Sequence, residues 1–236
     1  MNHRLFLEDT YLFELTTKIR SAGHDTQGHY VIPVQTLFHP QGGGQPDDEG
    51  SFISEGRKYE VNKLVGDKEK GEIKHYYNAP EDAPLLKEDQ TIDMVIDREK
   101  RLHFAAYHTA GHLIADIIEA TYPSLAGIKG NHFPDKGAVI FVIKEKIGQP
   151  VDKADYTSYD LEEMKTKVTE EMDKLRTANA PIKIDNSGPK RTMQIADMKE
   201  IPCGGTHLRH LGELPNCFIK KIALKKREGL KVSYTF

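Results

Sequence analysis

Four side chains in this sequence have the types and the spacing to hold a metal ion. His108 and His112 lie four residues apart in His108-Thr109-Ala110-Gly111-His112, and Cys203 and His207 repeat that spacing in Pro202-Cys203-Gly204-Gly205-Thr206-His207. On a helix, side chains four apart project from one face, so two imidazoles can meet at one point. A thiolate and a third imidazole from the Gly-Gly loop would complete a donor set that suits zinc better than magnesium or calcium. An isolated HxxxH is more often packing than ligation, because helical periodicity sets many residues four apart. Here the apolar stripe runs through Leu102, Ala106, Ala110, Leu113 and Ile117, while His108 and His112 point nearly the opposite way among the small residues Ala105, Gly111 and Ala115.

The elements that must position these donors follow from periodicity. A helix is expected from about Glu99 to Thr121, ended by Tyr122-Pro123, since the residue before proline disfavours the helical region. Upstream, residues 1–90 read as short strands and turns: Tyr11–Leu15, Tyr30–Val34, Ser51–Ile53, Lys58–Leu64 and Glu72–Tyr76, a pattern that predicts a small β-barrel. Within it lies Gly42-Gly43-Gly44-Gln45-Pro46, whose consecutive glycines permit positive φ or close backbone approach. Asn78 to Asp89, with Pro80, Pro84 and the acids Glu81, Asp82 and Glu88, reads as a solvated linker, which predicts domains at 1–90 and 91–236. The second half opens with a half-buried strand at Thr91–Asp97. It continues with a buried strand at Ala138–Ile143, an amphipathic helix at Tyr156–Thr177, a strand at Ile182–Ile184 and a hairpin pairing Phe218–Leu224 with Leu230–Tyr234. The fold class is α+β.

Composition sets outer bounds. The chain has 236 residues, 38% hydrophobic and 29% charged, enough for one large domain or two small ones. No apolar run approaches the ~20 residues of a membrane span, and Met1–Ser21 lacks a signal-peptide core, so a cytoplasmic protein is expected. Cys203 and Cys217 are too few for a disulfide framework, and a reducing compartment keeps a ligating thiol available. A net charge of −3 argues against nonspecific nucleic-acid binding, yet Lys199 to Phe236 carries eight Lys or Arg against three Glu. Lys220, Lys221, Lys225 and Lys226 form a candidate phosphate-binding patch; a solvated strand face is the equally weighted reading.

The motifs together have a family resemblance. His-Thr-Ala-Gly-His at 108–112, Gly-Gly-Gly-Gln-Pro-Asp-Asp-Glu-Gly at 42–50, Gly-Asn-His-Phe-Pro-Asp-Lys-Gly at 130–137 and Pro-Cys-Gly-Gly-Thr-His at 202–207 stand in the order of the editing domain of alanyl-tRNA synthetases. With no synthetase catalytic domain in the sequence, the chain most resembles the free-standing alanyl-tRNA editing proteins, in the form with an N-terminal glycine-motif domain. The resemblance implies a barrel followed by a two-layer α/β editing domain of the threonyl/alanyl-tRNA synthetase type. It also implies hydrolysis of the ester that joins chiefly serine, and secondarily glycine, to alanine-accepting tRNA, in the service of translation fidelity. Carried over by position, the zinc ligands are His108, His112, Cys203 and His207, with Cys203 the ligand most readily given up.

A metal there can polarise the ester carbonyl, lower the pKa of an attacking water or orient the aminoacyl group. No side chain is evident as general base; Asp116 and Glu119, within two turns, read as exposed helix acids. Thr109, Gly204, Gly205 and Thr206 are expected to line the aminoacyl pocket, joined by Gly43, Gly44 and Gln45 from the glycine loop. Two positions depart from the synthetase pattern, Gly111 for a threonine and Asp135 for a glutamine, and both are expected near substrate. His132 is expected to be structural or RNA-facing, outside the ligand set. Two other functions fit the same donors: a zinc hydrolase of a small ester, independent of tRNA, and a tRNA-binding module with a closed structural zinc. Gly43-Gly44-Gln45 also matches the tripeptide of peptide release factors, but three residues are too few. No membrane and no obligate protein partner are expected.

Overall fold

The computed structural model describes residues 2–67, 69–79 and 84–236. The fold is α+β and divides into two compact units, one of residues 1–42 and 46–103, the other of residues 43–45 and 104–236.

The first unit is a closed barrel. A short parallel bridge joins β1 (His3–Arg4) to β4 (Gln35–Thr36). The barrel strands are β2 (Glu14–Asp25), β3 (Gly28–Pro33), β5 (Gly50–Ser54), β6 (Arg57–Asp67), β7 (Glu72–Asn78) and β8 (Thr91–Ile96), closing in the order β2-β3-β7-β6-β5-β8. Alternation explains the closure: Ile92, Met94 and Ile96 of β8 point inward while Thr91 and Asp93 face solvent. Phe38, Phe52, Ile73 and Tyr77 fill the interior with them. β8 was expected to open the second half; it is hydrogen-bonded on both sides within the barrel, to β2 and β5. The linker acids Glu81 and Asp82 lie outside the described residues. The strand expected at Tyr11 begins at Glu14, where pairing with Val95 starts.

Arg101 is fully buried in this unit. Its Nε donates to Asp48 Oδ1 (2.8 Å) and its Nη1 to the Thr10 carbonyl (2.9 Å), and Nη2 reaches both Asp48 Oδ2 and the Leu37 carbonyl. Asp48 in turn takes the His39 amide on Oδ2 (2.5 Å) and gives its own amide to the His39 carbonyl (3.0 Å). This pair closes the neck of the glycine-bearing loop, and Arg101 satisfies the charge that does so.

The second unit has two layers. A four-stranded antiparallel sheet runs β14-β15-β10-β9, with β9 at Leu125–Asn131, β10 at Ala138–Ile143, β14 at Phe218–Lys225 and β15 at Gly229–Thr235. Helices α1 (Arg98–Thr121) and α2 (Leu161–Thr177) share one core with it: Leu113 and Ile117 of α1 and Met164 and Val168 of α2 meet Phe141, Ile222 and Val232 of the sheet. α1 has no solvated side between Phe104 and Gly111, where every residue is buried. α2 begins at Leu161 rather than near Tyr156, because the Asp160 carboxylate caps the amides of Glu162 and Glu163. A small sheet of β11 (Ile182–Asp185), β12 (Thr192–Ile195) and β13 (Ile201–Pro202) ends directly before Cys203. No helix is long and apolar enough to cross a membrane among the described residues.

Candidate metal centre

His108, His112, Cys203 and His207 come together in the second unit, their ligating atoms all within 4.8 Å of one another. His108 and His112 share one face of α1, and the turn after β13 delivers the other two. His108 Nε2 lies 3.1 Å from His112 Nε2, and Cys203 Sγ stands 3.7, 3.5 and 3.1 Å from Nε2 of His108, His112 and His207. Tetrahedral zinc with ordinary Zn–N and Zn–S bonds separates its donors by about 3.3–3.6 Å. The donor types suit that ion, and the four separations of 3.1–3.7 Å bracket the tetrahedral spacing.

The protonation of the rings follows from their partners. Gln45 Oε1 accepts the Thr206 amide (3.0 Å), so it is an acceptor, and His108 Nδ1, 2.6 Å from the same oxygen, must carry the hydrogen. His108 Nε2 is left with its lone pair toward the cluster. Gln45 Nε2 donates to Thr206 Oγ1 (2.8 Å), so one buried amide fixes both His108 and the loop that carries His207. His207 Nδ1 has Thr109 Oγ1 at 3.2 Å, and that oxygen also takes the Leu208 amide. Burial holds the His112 imidazole down to about 4, the neutral form that ligation needs. Burial pushes the Cys203 thiol up, opposed by the Gly205 amide and by Arg191. Arg191 Nη1 also donates to the Cys203 carbonyl (2.6 Å), bracing the turn.

Two glycines are required by contact. A Cβ on Gly205 would lie 2.0 Å from His108 Cε1, and one on Gly111 would lie 2.2 Å from His132 Cε1. Gly204 faces open space. In the glycine loop, Gly43 and Gly44 take φ of +57° and +80°, and a Cβ on Gly44 would press on the Gly130 carbonyl at 2.5 Å.

Beside the cluster opens a cavity of about 290 Å³ bordered by Gly43, His112, Asp116, Gly130 and His132, with Lys199 at its edge. His132 is buried and stacked on His108, ring centroids 4.7 Å apart. Tyr234 Oη donates to the Tyr107 carbonyl (2.8 Å), so it receives the hydrogen of His132 Nδ1 (2.7 Å). Asp116 is 8% exposed, which corrects the expectation of a solvated helix acid: β9 and the segment before β13 cover that face of α1. Glu119 Oε1 accepts the Gly127 amide (2.8 Å). Asp135 does not border the cavity, whereas Gly111 does. Lys220, Lys221, Lys225 and Lys226 are all exposed, the first two side by side because a bulge interrupts β14 between Ile219 and Lys221.

Gln45 thus holds a candidate ligand, His108, and the loop that carries His207, a role its position among turn residues did not signal. Replacing it with Ala is expected to weaken metal binding by about 10- to 100-fold, as loss of a partner that orients a ligand does. Competition against a chromophoric chelator measures this; unchanged affinity would show that the His108 ring needs no such support.

No protein-family model matches the chain. It is 29% identical to the alanyl-tRNA editing protein AlaX-M of Methanosarcina acetivorans, covering 100% of this chain and 99% of that one. It is 27% identical to the AlaX-M protein of Methanosarcina mazei, over 100% of this chain and 96% of the other. With the AlaX-M protein of Pyrococcus horikoshii it shares 28% identity over 94% of this chain and 91% of the relative. Similarity runs the length of both partners, in an α+β fold that gathers its two histidine-bearing motifs at one point, so the chain is similar throughout to the AlaX alanyl-tRNA editing proteins.

Proposed function

We propose that this chain is a cytoplasmic trans-editing deacylase that hydrolyses the ester joining serine, and also glycine, to alanine-accepting tRNA. In this reading a zinc ion is held by His108, His112, Cys203 and His207. The observation that carries it is the convergence of those four donors beside an open cavity, in a chain similar throughout to proteins named for alanyl-tRNA editing. Water adds across the ester, releasing the free amino acid and restoring the terminal ribose hydroxyl. Zinc supplies Lewis-acid polarisation of the ester carbonyl.

The chain's own residues do the rest. Gln45 holds His108 with its Nε2 lone pair toward the donor cluster, and Thr109 Oγ1 lies 3.2 Å from His207 Nδ1 and positions that ring. His108, Thr109, Thr206 and His207 are buried, whereas His112 and Cys203 are partly exposed, so substrate enters from the side of His112, where the cavity lies. Gly43 and Gly44 bring backbone to that side without side chains. Gly43 borders that cavity and would meet the aminoacyl group, whereas Gln45, Thr109, Gly205 and Thr206 are buried and shape the site from behind the donors. The need for such an enzyme is physical: an apolar pocket shaped for alanine cannot exclude glycine and rejects an added hydroxyl only modestly. A second site that hydrogen-bonds the serine hydroxyl spares alanine, which leaves those polar groups unpaired.

The exposed lysines at 220, 221, 225 and 226 are assigned to tRNA phosphates. Replacing all four with Ala is expected to weaken tRNA binding and to lower the slope of log Kd against log salt by about 3. An unchanged slope would make them a solvated face.

Incubating the protein with Ser-, Gly- and Ala-tRNA, all on alanine-accepting tRNA, tests the reading. Loss of serine and glycine with alanine spared is expected. Closure of all four donors on a structural ion is the other arrangement this set allows, and protein that binds tRNA and deacylates none of the three would establish it instead.

A further inference from the structure

The cavity beside His112 contains a carboxyl group with a buried oxygen that has no hydrogen-bond partner among the described residues. Asp116 follows His112 by one helical turn on the same face of α1, about 5–6 Å between Cβ atoms. It is 8% exposed, and its Oδ2 is buried without a hydrogen-bond partner among the described residues. Its charged neighbours do not supply one. Glu119 is committed to the Gly127 amide, Lys199 stands 4.0 Å from Glu119 Oε2 and is exposed, and Lys129, on β9, is exposed at the cavity's edge. A buried carboxylate without a partner is unfavourable unless a cation completes it. Burial, with Glu119 adding to it, accordingly pushes the carboxyl up to about 7. A divalent cation would need more oxygen donors than one free carboxylate offers.

An aminoacyl ester brings the missing charge. Its α-ammonium is one carbon from the ester carbonyl, so a carbonyl placed at the ligand cluster leaves the ammonium within reach of the next turn of α1, on the cavity side where Asp116 lies. The lysines at the rim face outward, where the phosphates of an RNA 3′ end would lie.

We propose that Asp116 receives the α-ammonium of the aminoacyl ester and thereby selects esters with a free amine over N-acylated ones, peptidyl esters included. This rests on the trans-editing reading and adds to it a basis for ignoring peptidyl-tRNA.

The test compares Ser-tRNA with N-acetyl-Ser-tRNA, both on alanine-accepting tRNA, using zinc-loaded wild-type protein and Asp116→Asn, with zinc content and thermal midpoint measured for each. Wild type is expected to prefer the free amine by about 30-fold or more, the worth of a charge-assisted hydrogen bond. Asp116→Asn is expected to lose that factor on Ser-tRNA, to match wild type on the N-acetyl ester within about 2-fold, and to keep its zinc. Its midpoint should not fall, because the carboxyl it removes is unpaired; Asp116→Ala should show the same collapse of preference. A variant that retains the wild-type preference overturns the proposal. Equal slowing on both esters also overturns it, since that marks a proton-transfer or structural role. If wild-type protein hydrolyses neither ester, the trans-editing reading fails and the proposal falls with it, a result distinct from the other two.

Discussion

Replacing His108 or His207 with Ala is expected to leave the protein without stoichiometric metal and to slow Ser-tRNA deacylation by about a thousandfold or more. Each imidazole presents Nε2 to a four-donor cluster whose atoms span no more than 4.8 Å. Losing one removes a bond that the remaining three must make up while a neighbouring position fills with water. His108 has the further cost that Gln45 Oε1 loses a buried donor at 2.6 Å, which loosens the loop that carries Cys203 and His207. The rate factor corresponds to about 4 kcal/mol of transition-state stabilisation, the several kcal/mol that a metal acting on a carbonyl oxygen provides. Inductively coupled plasma analysis beside single-turnover kinetics reads both effects. Full zinc stoichiometry in either variant would take that residue out of the ligand set.

Arg101→Met is expected to destabilise the barrel unit by about 3–5 kcal/mol, the usual consequence of removing one partner of a buried ion pair. The guanidinium has no exposed surface and is bound to the Asp48 carboxylate and to two carbonyls, of Thr10 and Leu37. Without it Asp48 is a buried unpaired charge at the neck of the glycine loop. The double variant Arg101→Met with Asp48→Leu should be less damaged than Arg101→Met alone, since it removes the orphaned charge, although the His39 amide then lacks its acceptor. Urea denaturation followed by barrel tyrosine fluorescence measures both. A single variant within about 1 kcal/mol of wild type would mean that water reaches Asp48 and the pair is not a clamp.

What the sequence disclosed depended on how local each signal was. The four candidate donors were legible because residue type and a four-residue spacing reveal both halves of the cluster, and their convergence follows from α1 and from the turn after β13. Ala138–Ile143 coincides with β10 because an uninterrupted β-branched run has few other uses. The edge strand β9, Leu-Ala-Gly-Ile-Lys-Gly-Asn, has no alternation to read, since most of it is exposed and two glycines weaken the pattern. Gln45 could not be recognised as the holder of His108 across 63 positions, because the contact exists only once the fold does. Asp116 failed for the same reason: helix periodicity places it one turn from His112, but the cover from β9 and the segment before β13 comes from residues distant in sequence. Such tertiary cover is what turns an ordinary helix acid into a group able to bind a ligand.

The measurement closest to the central claim is metal reconstitution. Protein stripped by chelator and dialysed would be titrated with zinc while bound metal and the single-turnover rate on Ser-tRNA are followed in the same samples. The account predicts negligible hydrolysis by the stripped protein and a rate that rises in proportion to bound zinc, saturating at one ion per chain. Unchanged hydrolysis by metal-free protein, or tRNA-binding protein that stays inactive when loaded with zinc, would contradict it.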